Sequence, residues 1–263
     1  MKIENLYENP NIEIVAKKGI FRVVEYKSDL TLMRPETAMN AYFMKEQEVR
    51  KRQLLVELDG KTGLILSPGA MQWIAGDIKS VTNVKGVGDF FAKSIRGKVT
   101  GEAAINPLYK GLGTLMTEPT HRFIFLEEVS SHGGLVVADG MFLACEDTLT
   151  MEVATVKTLS GAVMGGQGIF NLRLKGAGVV AVESKIPKGE ILKATLAAGD
   201  TLQIDGPLAL MWDDALTMSV EKSGKSLIGS AMSGEGLVNV FRGTGSVWMA
   251  VAGGGGLARP PVI

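Results

Sequence analysis

The sequence predicts an all-β fold assembled from three tandem repeats, with short helices as connectors. Two observations predict it: stretches in which apolar and polar residues alternate, and a glycine-containing segment that the chain contains three times. A fixed period indicates one supersecondary unit used repeatedly, each copy burying its apolar face against its neighbours. We expect the units to cover 51–119, 120–184 and 185–252, within one β domain over 51–252.

The repeated segment combines two polar residues with a glycine-x-glycine motif. Polar side chains can satisfy backbone groups at a bulge or corner, and glycine adopts backbone angles that other residues resist. We expect each motif to close a hairpin, with Gly178 and Gly245 in such angles. A ring of three polar groups around a central axis is the functional alternative. The positions of interest are Glu102, Asn106, Gly111, Gly113, Gln167, Asn171, Gly176, Gly178, Glu235, Asn239, Gly243 and Gly245.

Alternation marks individual strands. Residues 148–153 and 215–220 alternate between apolar and polar side chains, and a period of two places one set on a single face of a strand. Asp139-Gly140 and Asp205-Gly206, upstream of these strands, indicate turns. A short segment before each glycine motif indicates a helical connector: 90–95, 159–164 and 227–232.

Residues 1–50 lie outside the repeat and form an N-terminal extension that we expect to pack on the β domain. The residues 11–26 predict a hairpin that turns at 17–19, and the residues 38–52 predict a helix. The glycine- and proline-containing tail, 253–263, is expected to be flexible because chain termini fray unless they are tied down.

Composition excludes several classes of partner. The 28 basic and 28 acidic residues cancel, whereas phosphate binding needs a basic surplus, so no nucleic acid is expected. The single cysteine, Cys145, excludes an internal disulfide and fits a reducing compartment, so we predict a cytoplasmic protein. The chain has no apolar run long enough for a membrane helix. Its first 15 residues, with three glutamates, look like neither a secretory signal nor a transit peptide.

Motifs that carry phosphate or dinucleotide chemistry fail on spacing. A P-loop needs a further glycine upstream of its Gly-Lys pair, and both 60–62 and 224–226 lack it. A dinucleotide fingerprint needs a third glycine, which every Gly-x-Gly pair here lacks. The cluster 130–132 is the only local nucleophile–histidine arrangement, and adjacent strand residues point to opposite faces. We therefore expect no catalytic residue and no cofactor.

A metal site is also not expected. The two histidines, His121 and His132, form no His-x-His motif. Four aspartates could supply oxygen ligands if the repeats pack around an axis, although such aspartates more often cap turns beside strands. These residues are Asp77, Asp147, Asp213 and Asp214.

Three stretches together resemble the altered inheritance of mitochondria protein 24 family: 52–58, 69–71 and the Gly-Glu-Gly to Arg-Gly-Thr-Gly-Ser-Val-Trp close at 234–248. The resemblance covers about 50–252. It implies a double-stranded β-helix similar to the tryptophan RNA-binding attenuation protein, with internal pseudo-threefold symmetry. It implies no established enzymatic activity and assigns no catalytic residue.

We expect a non-enzymatic structural or interaction protein that self-associates. Strand edges and apolar stretches at 135–137 and 247–251 need a cover, and a homo-oligomer, with a trimer favoured, would supply one. The alternative is a self-contained monomer whose three units close on one another. A small-ligand or metal-binding β-helix protein is the second hypothesis. RNA binding, by fold analogy alone, is the third.

Overall fold

We describe the chain from a computed structural model, in which the described residues are 3–32, 34–81, 106–130, 133–154, 157–158, 171–205, 208–222 and 237–251. Several predicted features therefore lie outside the described residues: the three connector segments, the tail at 253–263, His132, and the polar positions Glu102, Gln167 and Glu235.

The described chain is mostly strand, with one α-helix, so the all-β prediction is confirmed at the level of fold class. The strands before the first glycine motif, and the one that contains it, are β1 (Ile12–Lys18), β2 (Phe21–Tyr26), β3 (Arg52–Asp59), β4 (Leu64–Leu66), β5 (Met71–Val81) and β6 (Leu108–Thr117). The middle of the chain forms β7 (Phe123–Val129), β8 (Gly134–Val137), β9 (Phe142–Glu146), β10 (Leu149–Ala154), β11 (Lys157–Thr158), β12 (Asn171–Gly176) and β13 (Gly178–Ser184). The last strands are β14 (Ile191–Leu196), β15 (Thr201–Asp205), β16 (Ala209–Asp213), β17 (Thr217–Lys222), β18 (Leu237–Arg242) and β19 (Gly245–Ala250).

The chain divides into two compact units. The first contains Met1–Glu128, Leu143–Leu149 and Gly178–Ser184. The second contains Val129–Phe142, Thr150–Ala177 and Lys185–Ile263. A nine-stranded sheet has the order β1-β2-β3-β6-β4-β9-β13-β7, with β5 paired to β6. A six-stranded sheet has the order β10-β12-β8-β16-β19-β14, and a four-stranded sheet has the order β11-β17-β18-β15.

The N-terminal hairpin forms where the sequence predicts it. Strands β1 and β2 pair antiparallel, and Gly19, in the turn between them, has φ +51°. Strand β2 then pairs with β3, which ties the hairpin into the nine-stranded sheet.

The α-helix α1 spans Pro35–Glu46, so the predicted span of 38–52 is wrong at both ends. Proline at the first helical position has a preset φ and loses no intrahelical bond there. The Thr37 hydroxyl donates to the Arg34 carbonyl oxygen at 3.1 Å, which closes the first turn. Glu48 has φ +54°, beyond the end of the helix, and Arg52 already belongs to β3. A second, shorter helical turn of the 3-10 type covers Leu30–Leu32, and another covers Lys188–Glu190.

Each unit has an apolar core of its own. In the first unit it contains Phe21, Leu54, Leu64, Leu66 and Leu115, all fully buried. In the second unit the ring of Trp212 packs edge-on against the ring of Phe241, with centroids 5.3 Å apart. The predicted alternation is present in β17, where Met218 and Val220 are buried and the polar residues beside them are not. In β10 it holds for Leu149 and Met151, whereas Val153 is only half-buried. The described part of the chain contains no helix with the length and apolar character that a membrane crossing requires.

Candidate functional site

The repeated Gly-x-Gly motifs are corners between strands and do not close hairpins, so that prediction is wrong. Gly111 and Gly113 lie inside the single strand β6, which changes partner along its length: Tyr109 faces β4, whereas Leu112–Met116 face β3. The second motif separates β12 from β13, which belong to different sheets, and the third separates β18 from β19 in the same way. At the first corner one edge of β6 changes partner from β4 to β3 while β5 stays paired along the other edge. At the second and third corners the chain passes from one sheet to another.

Backbone angles explain most of the glycines at these corners. Positive φ values occur at Gly111 (+136°), Gly113 (+154°), Gly176 (+115°), Gly243 (+115°) and Gly245 (+154°). Such angles are costly for residues that carry a Cβ. The prediction that Gly245 adopts a backbone angle that other residues resist is therefore confirmed.

Gly178 is the exception, because its φ is not positive and the prediction for it is wrong. A Cβ at this position would instead collide with the Thr148 hydroxyl and would lie 3.0 Å from Oε2 of Glu146. The glycine is required there by the close approach of neighbouring side chains.

Glu146 is a buried carboxylate in the first unit, and the sequence analysis did not single it out. Its Oε2 accepts a hydrogen bond from the Val179 backbone N–H at 2.9 Å, and its Oε1 accepts one from the Ile20 N–H at 3.4 Å. A Cβ on Gly19 would collide with this carboxylate. Because backbone N–H groups satisfy the charge, Glu146 fixes the chain after the second corner.

Asp147 joins β4 to β9 beside this carboxylate. Its Oδ1 accepts from the Gly63 N–H at 2.8 Å, and its own N–H donates to the Gly63 carbonyl oxygen at 2.9 Å. Lys110 Nζ lies 2.7 Å from Oδ2. A Cβ on Gly63 would lie only 2.6 Å from Oδ2, so this contact needs glycine.

The second unit contains a corresponding pair of carboxylates. Asp213 Oδ2 accepts from the Ser246 N–H at 2.7 Å, as Glu146 does from Val179. Asp214 N–H donates to the Gly134 carbonyl oxygen at 2.9 Å, and its carboxylate accepts a short hydrogen bond from Arg173 Nε. These acidic side chains are thus engaged in strand-to-strand contacts.

The repeated asparagines have different environments. Asn171 is buried in β12, and its Nδ2 has no hydrogen-bond partner among the described residues. Asn239 is half-buried in β18 and faces Ile204 of β15 and Val220 of β17. Asn106 is half-buried before β6. A ring of polar groups built from these positions stays a prediction.

Potential metal ligands do not gather in the described residues: no three His, Cys, Asp or Glu side chains come together there. Asp77 is exposed, and Lys79 Nζ lies 3.9 Å from its carboxylate. Cys145 is buried and free, and burial raises the pKa of its thiol far above the ordinary value.

A surface hollow of about 470 Å³ lies in the first unit, lined by side chains that include Tyr26, Leu30, Tyr42 and Val49. Asp29, in its wall, has hydrogen bonds from the Thr31 N–H and hydroxyl and from Lys51 Nζ. Burial pulls the pKa of Asp29 upward, but these hydrogen bonds outweigh it and lower the pKa to about 2. Its other oxygen lies 3.4 Å from Nε2 of His121.

Comparison with known proteins relates the chain to one family and to proteins of Streptococcus pyogenes. The family model described as Mitochondrial biogenesis AIM24 matches residues 43–251. An uncharacterised protein of Streptococcus pyogenes serotype M6 is 28% identical in an alignment of 206 residues that covers 74% of this chain and 80% of that protein. A crystal structure of a Streptococcus pyogenes protein is similar with a TM-score of 0.55 and 22% identity, over 92% of this chain and 93% of that one. At that identity the structural match shows the fold alone.

Proposed function

The chain belongs to the Mitochondrial biogenesis AIM24 family, and from that premise we propose that it is a non-enzymatic structural or interaction protein that self-associates. The observation that carries the proposal is β5. This strand has 11 residues, and β6 pairs with it along its whole length. Its other edge pairs with no described strand.

A free edge of this length favours association. Unpaired N–H and C=O groups on an edge strand are a template for another strand, and proteins usually blunt long edges with proline, bulges or a covering element. In β5 the single bulge lies at its start, between Met71 and Trp73, and the nine remaining residues pair regularly. Because no described element covers the regular part of the edge, we propose that a second copy covers it, in a homo-oligomer for which a trimer is favoured.

We further propose that the β domain, 51–252, is a double-stranded β-helix of three repeats with pseudo-threefold symmetry. Equivalent pairing supports this. β4 pairs with the part of β6 that precedes the first corner. In the same way β8 pairs with β12, before the second corner, and β15 pairs with β18, before the third. β3 and β14 pair with the strands that follow the first and third corners.

The absence of enzymatic activity is proposed from the state of the carboxylates. Glu146, Asp147 and Asp213 accept hydrogen bonds from backbone N–H groups, and Asp214 is paired with Arg173. Groups engaged in this way hold strands together and are not presented to a substrate. We also propose a cytoplasmic location, with which the free, buried Cys145 is compatible.

Sedimentation equilibrium across a wide range of concentrations tests the proposal. We expect a mass above that of the 28.0 kDa chain, rising to a plateau at an integral number of copies. A single 28.0 kDa species at every concentration would contradict self-association.

The hollow beside α1 supports a second candidate function, the binding of a small ligand. Its volume of about 470 Å³ lies within the range of ligand pockets, and Tyr26 and Tyr42 offer aromatic surface. A ligand at 100 times its dissociation constant stabilises a protein by about 2.7 kcal/mol. A thermal-shift screen in which one compound gives a saturable shift, lost in Tyr42→Ala, would favour this function.

A further inference from the structure

We infer that the surface hollow beside α1 binds a small organic anion with an apolar body, and that Lys45 of α1 contacts its charged head. The inference rests on the proposed binding of a small ligand in this hollow and names the class of ligand. It follows from three features of the hollow: its exposed apolar surface, the cationic partners of its carboxylates, and lysines that have no carboxylate partner.

Part of the wall is apolar and in contact with solvent. Leu30, Tyr42 and Val49 all line the hollow, and they are 63%, 60% and 39% exposed. Single apolar side chains on a surface are ordinary, but several around one hollow mark a place where a ligand can remove apolar surface from water. The body of the ligand is therefore apolar.

The helix α1 places a cation beside this apolar wall. Residues three and four positions apart lie on the same side of a helix, and Ala41, Met44 and Lys45, which line the hollow, have this spacing. A lysine can lay its methylene stem along apolar surface and keep its ammonium group in water. Lys45 is therefore suited to contact an anionic head while the body of the ligand lies in the hollow.

The two carboxylates in the wall already have cationic partners. Asp29 Oδ1 lies 3.0 Å from Lys51 Nζ, and the Asp29 side chain is only 9% exposed. Glu48 Oε1 lies 3.5 Å from a guanidinium nitrogen of Arg50, and its side chain points largely into solvent. A cationic ligand would have to displace a cation of the protein from either carboxylate, so the hollow does not favour a cation.

Two lysines of the wall have no carboxylate partner among the described residues: Lys27 and Lys45. Lys27 Nζ donates to the Pro10 carbonyl oxygen at 2.9 Å, which leaves its positive charge uncompensated. Arg50 is a third basic residue of the wall. Basic groups in the wall thus outnumber acidic ones, and a hollow lined by one sign of charge attracts the opposite sign.

Lys45 is assigned to the head of the ligand because the ammonium group of Lys27 is already bonded to Pro10. The hollow lies on the surface, so the ligand exchanges with solvent, and we do not expect it to be retained during purification. Binding is therefore measured with added probes.

Equilibrium dialysis with radiolabelled octanoate tests the class of ligand. Three unlabelled competitors separate charge from apolar body: 1-octanol is neutral, octylammonium is positive, and acetate has the charge without the body. We expect octanoate to bind best, octanol more weakly, and acetate and octylammonium least. Added salt should weaken the binding of octanoate but not of octanol, because salt screens exposed charges.

Substitutions at Lys45 test its contact with the head. Lys45→Gln removes the charge at little cost in helix propensity, and we expect octanoate to bind about two- to fivefold more weakly, as for an exposed ion pair. Lys45→Glu should shift the preference from octanoate towards octylammonium, a reversal that a merely structural role of Lys45 would not produce. Lys79→Gln, at an exposed lysine outside the hollow, is the matched control and should change nothing.

The outcomes separate the class of ligand from ligand binding itself. A preference for octanoate that Lys45→Gln lowers and Lys45→Glu shifts supports the inference. Equal binding of octanoate and octanol, lost in Tyr42→Ala but unchanged in Lys45→Gln, overturns the anion and leaves the hollow as a ligand site. Octanoate binding that is unchanged in both Tyr42→Ala and Lys45→Gln lies elsewhere and overturns the inference. Binding of no probe overturns both the inference and the proposed ligand binding.

Discussion

The first glycine corner, with Gly113, lies in the first unit, and the third, with Gly245, lies in the second unit. The two corners have the same motif and the same backbone angle, but an added Cβ would meet different neighbours. At both Gly113 and Gly245 φ is +154°. A Cβ on Gly113 would collide with the carbonyl oxygen of Ala75, whereas on Gly245 it would lie 3.1 Å from Asp213 Cβ and from Leu216 Cγ. A paired backbone cannot move aside without breaking its ladder, but side chains can repack.

The difference arises from the strands around the two corners. In the first unit β5 and β6 pair without interruption through the corner, so two backbones approach closely there. In the second unit the corresponding path is divided into β16 and β17 on one side and β18 and β19 on the other. The third corner should therefore tolerate an added side chain better than the first corner.

The largest effect is expected from Gly111→Ala, which tests the backbone-packed corner. Its φ is +136°, and an added Cβ would collide with the Asp77 carbonyl oxygen and lie 3.0 Å from Ile78 Cα. Backbone strain and overpacking together predict a loss of about 3–5 kcal/mol in the free energy of unfolding, measured by urea denaturation.

Gly60→Ala is the matched control for this substitution. Gly60 has φ +81° but nothing within 4 Å of an added Cβ, so only the backbone angle is strained and a loss of about 1 kcal/mol is expected. Equal losses for the two variants would show that the close approach of β5 to β6 is unimportant.

Gly245→Ala is expected to have an intermediate effect. The backbone angle is strained, but the neighbours are side chains that can shift by a few tenths of an ångström. We expect a loss of about 1–3 kcal/mol. A loss larger than that of Gly111→Ala, under the same conditions, would reverse the comparison between the two corners.

Gly178→Ala should have a smaller effect that a second substitution relieves. Its backbone angle is not strained, and the collision is with the exposed Thr148 hydroxyl. We expect a loss of about 1–2 kcal/mol from overpacking, partly recovered in Gly178→Ala/Thr148→Ala. A coupling energy of at least about 0.5 kcal/mol in the double-mutant cycle is the predicted sign of contact; strictly additive losses would argue against it.

The smallest effect concerns acid stability in the first unit. The folded-state pKa of Asp29, about 2, is below its ordinary value. The contribution of this carboxylate is therefore present above about pH 4, the ordinary value for aspartate, and is lost as pH falls from there towards 2. Asp29→Asn should flatten the fall in unfolding free energy over that range.

Asp77→Asn serves as the control for acid stability, because the Asp77 carboxylate is exposed and Lys79 Nζ lies 3.9 Å from it. Its profile should follow that of the unmodified chain. Identical profiles for Asp29→Asn and the unmodified chain would mean that the hydrogen bonds to Asp29 contribute nothing in acid.

Much of the fold follows from local signals in the sequence. The turn at Gly19 and the alternation in β10 and β17 need only neighbouring residues to be recognised. The partner strands at each corner cannot be recognised in that way, because pairing is non-local and a glycine motif is compatible with either a hairpin or a corner. The helix begins at Pro35, earlier than the apolar spacing indicates, because proline is favoured at the first helical position.

The carboxylates that connect neighbouring strands in the two units are only partly predictable from the sequence. Asp147 and Asp214 align between repeats, and so do the acidic residues before them, Glu146 and Asp213. That repeated acidic pair is a sequence signal for side chains that accept hydrogen bonds from backbone N–H groups. The role of Gly63 and Gly134 cannot be predicted in this way, since the need for glycine arises from an aspartate more than 70 residues away.

Native mass spectrometry of freshly purified protein is the decisive test of self-association, because it reports the number of subunits and any retained ligand together. We expect an assembly whose mass is an integral multiple of the 28.0 kDa chain, with no additional mass from a bound compound. A single 28.0 kDa species, or a compound retained in stoichiometric amount, would contradict it.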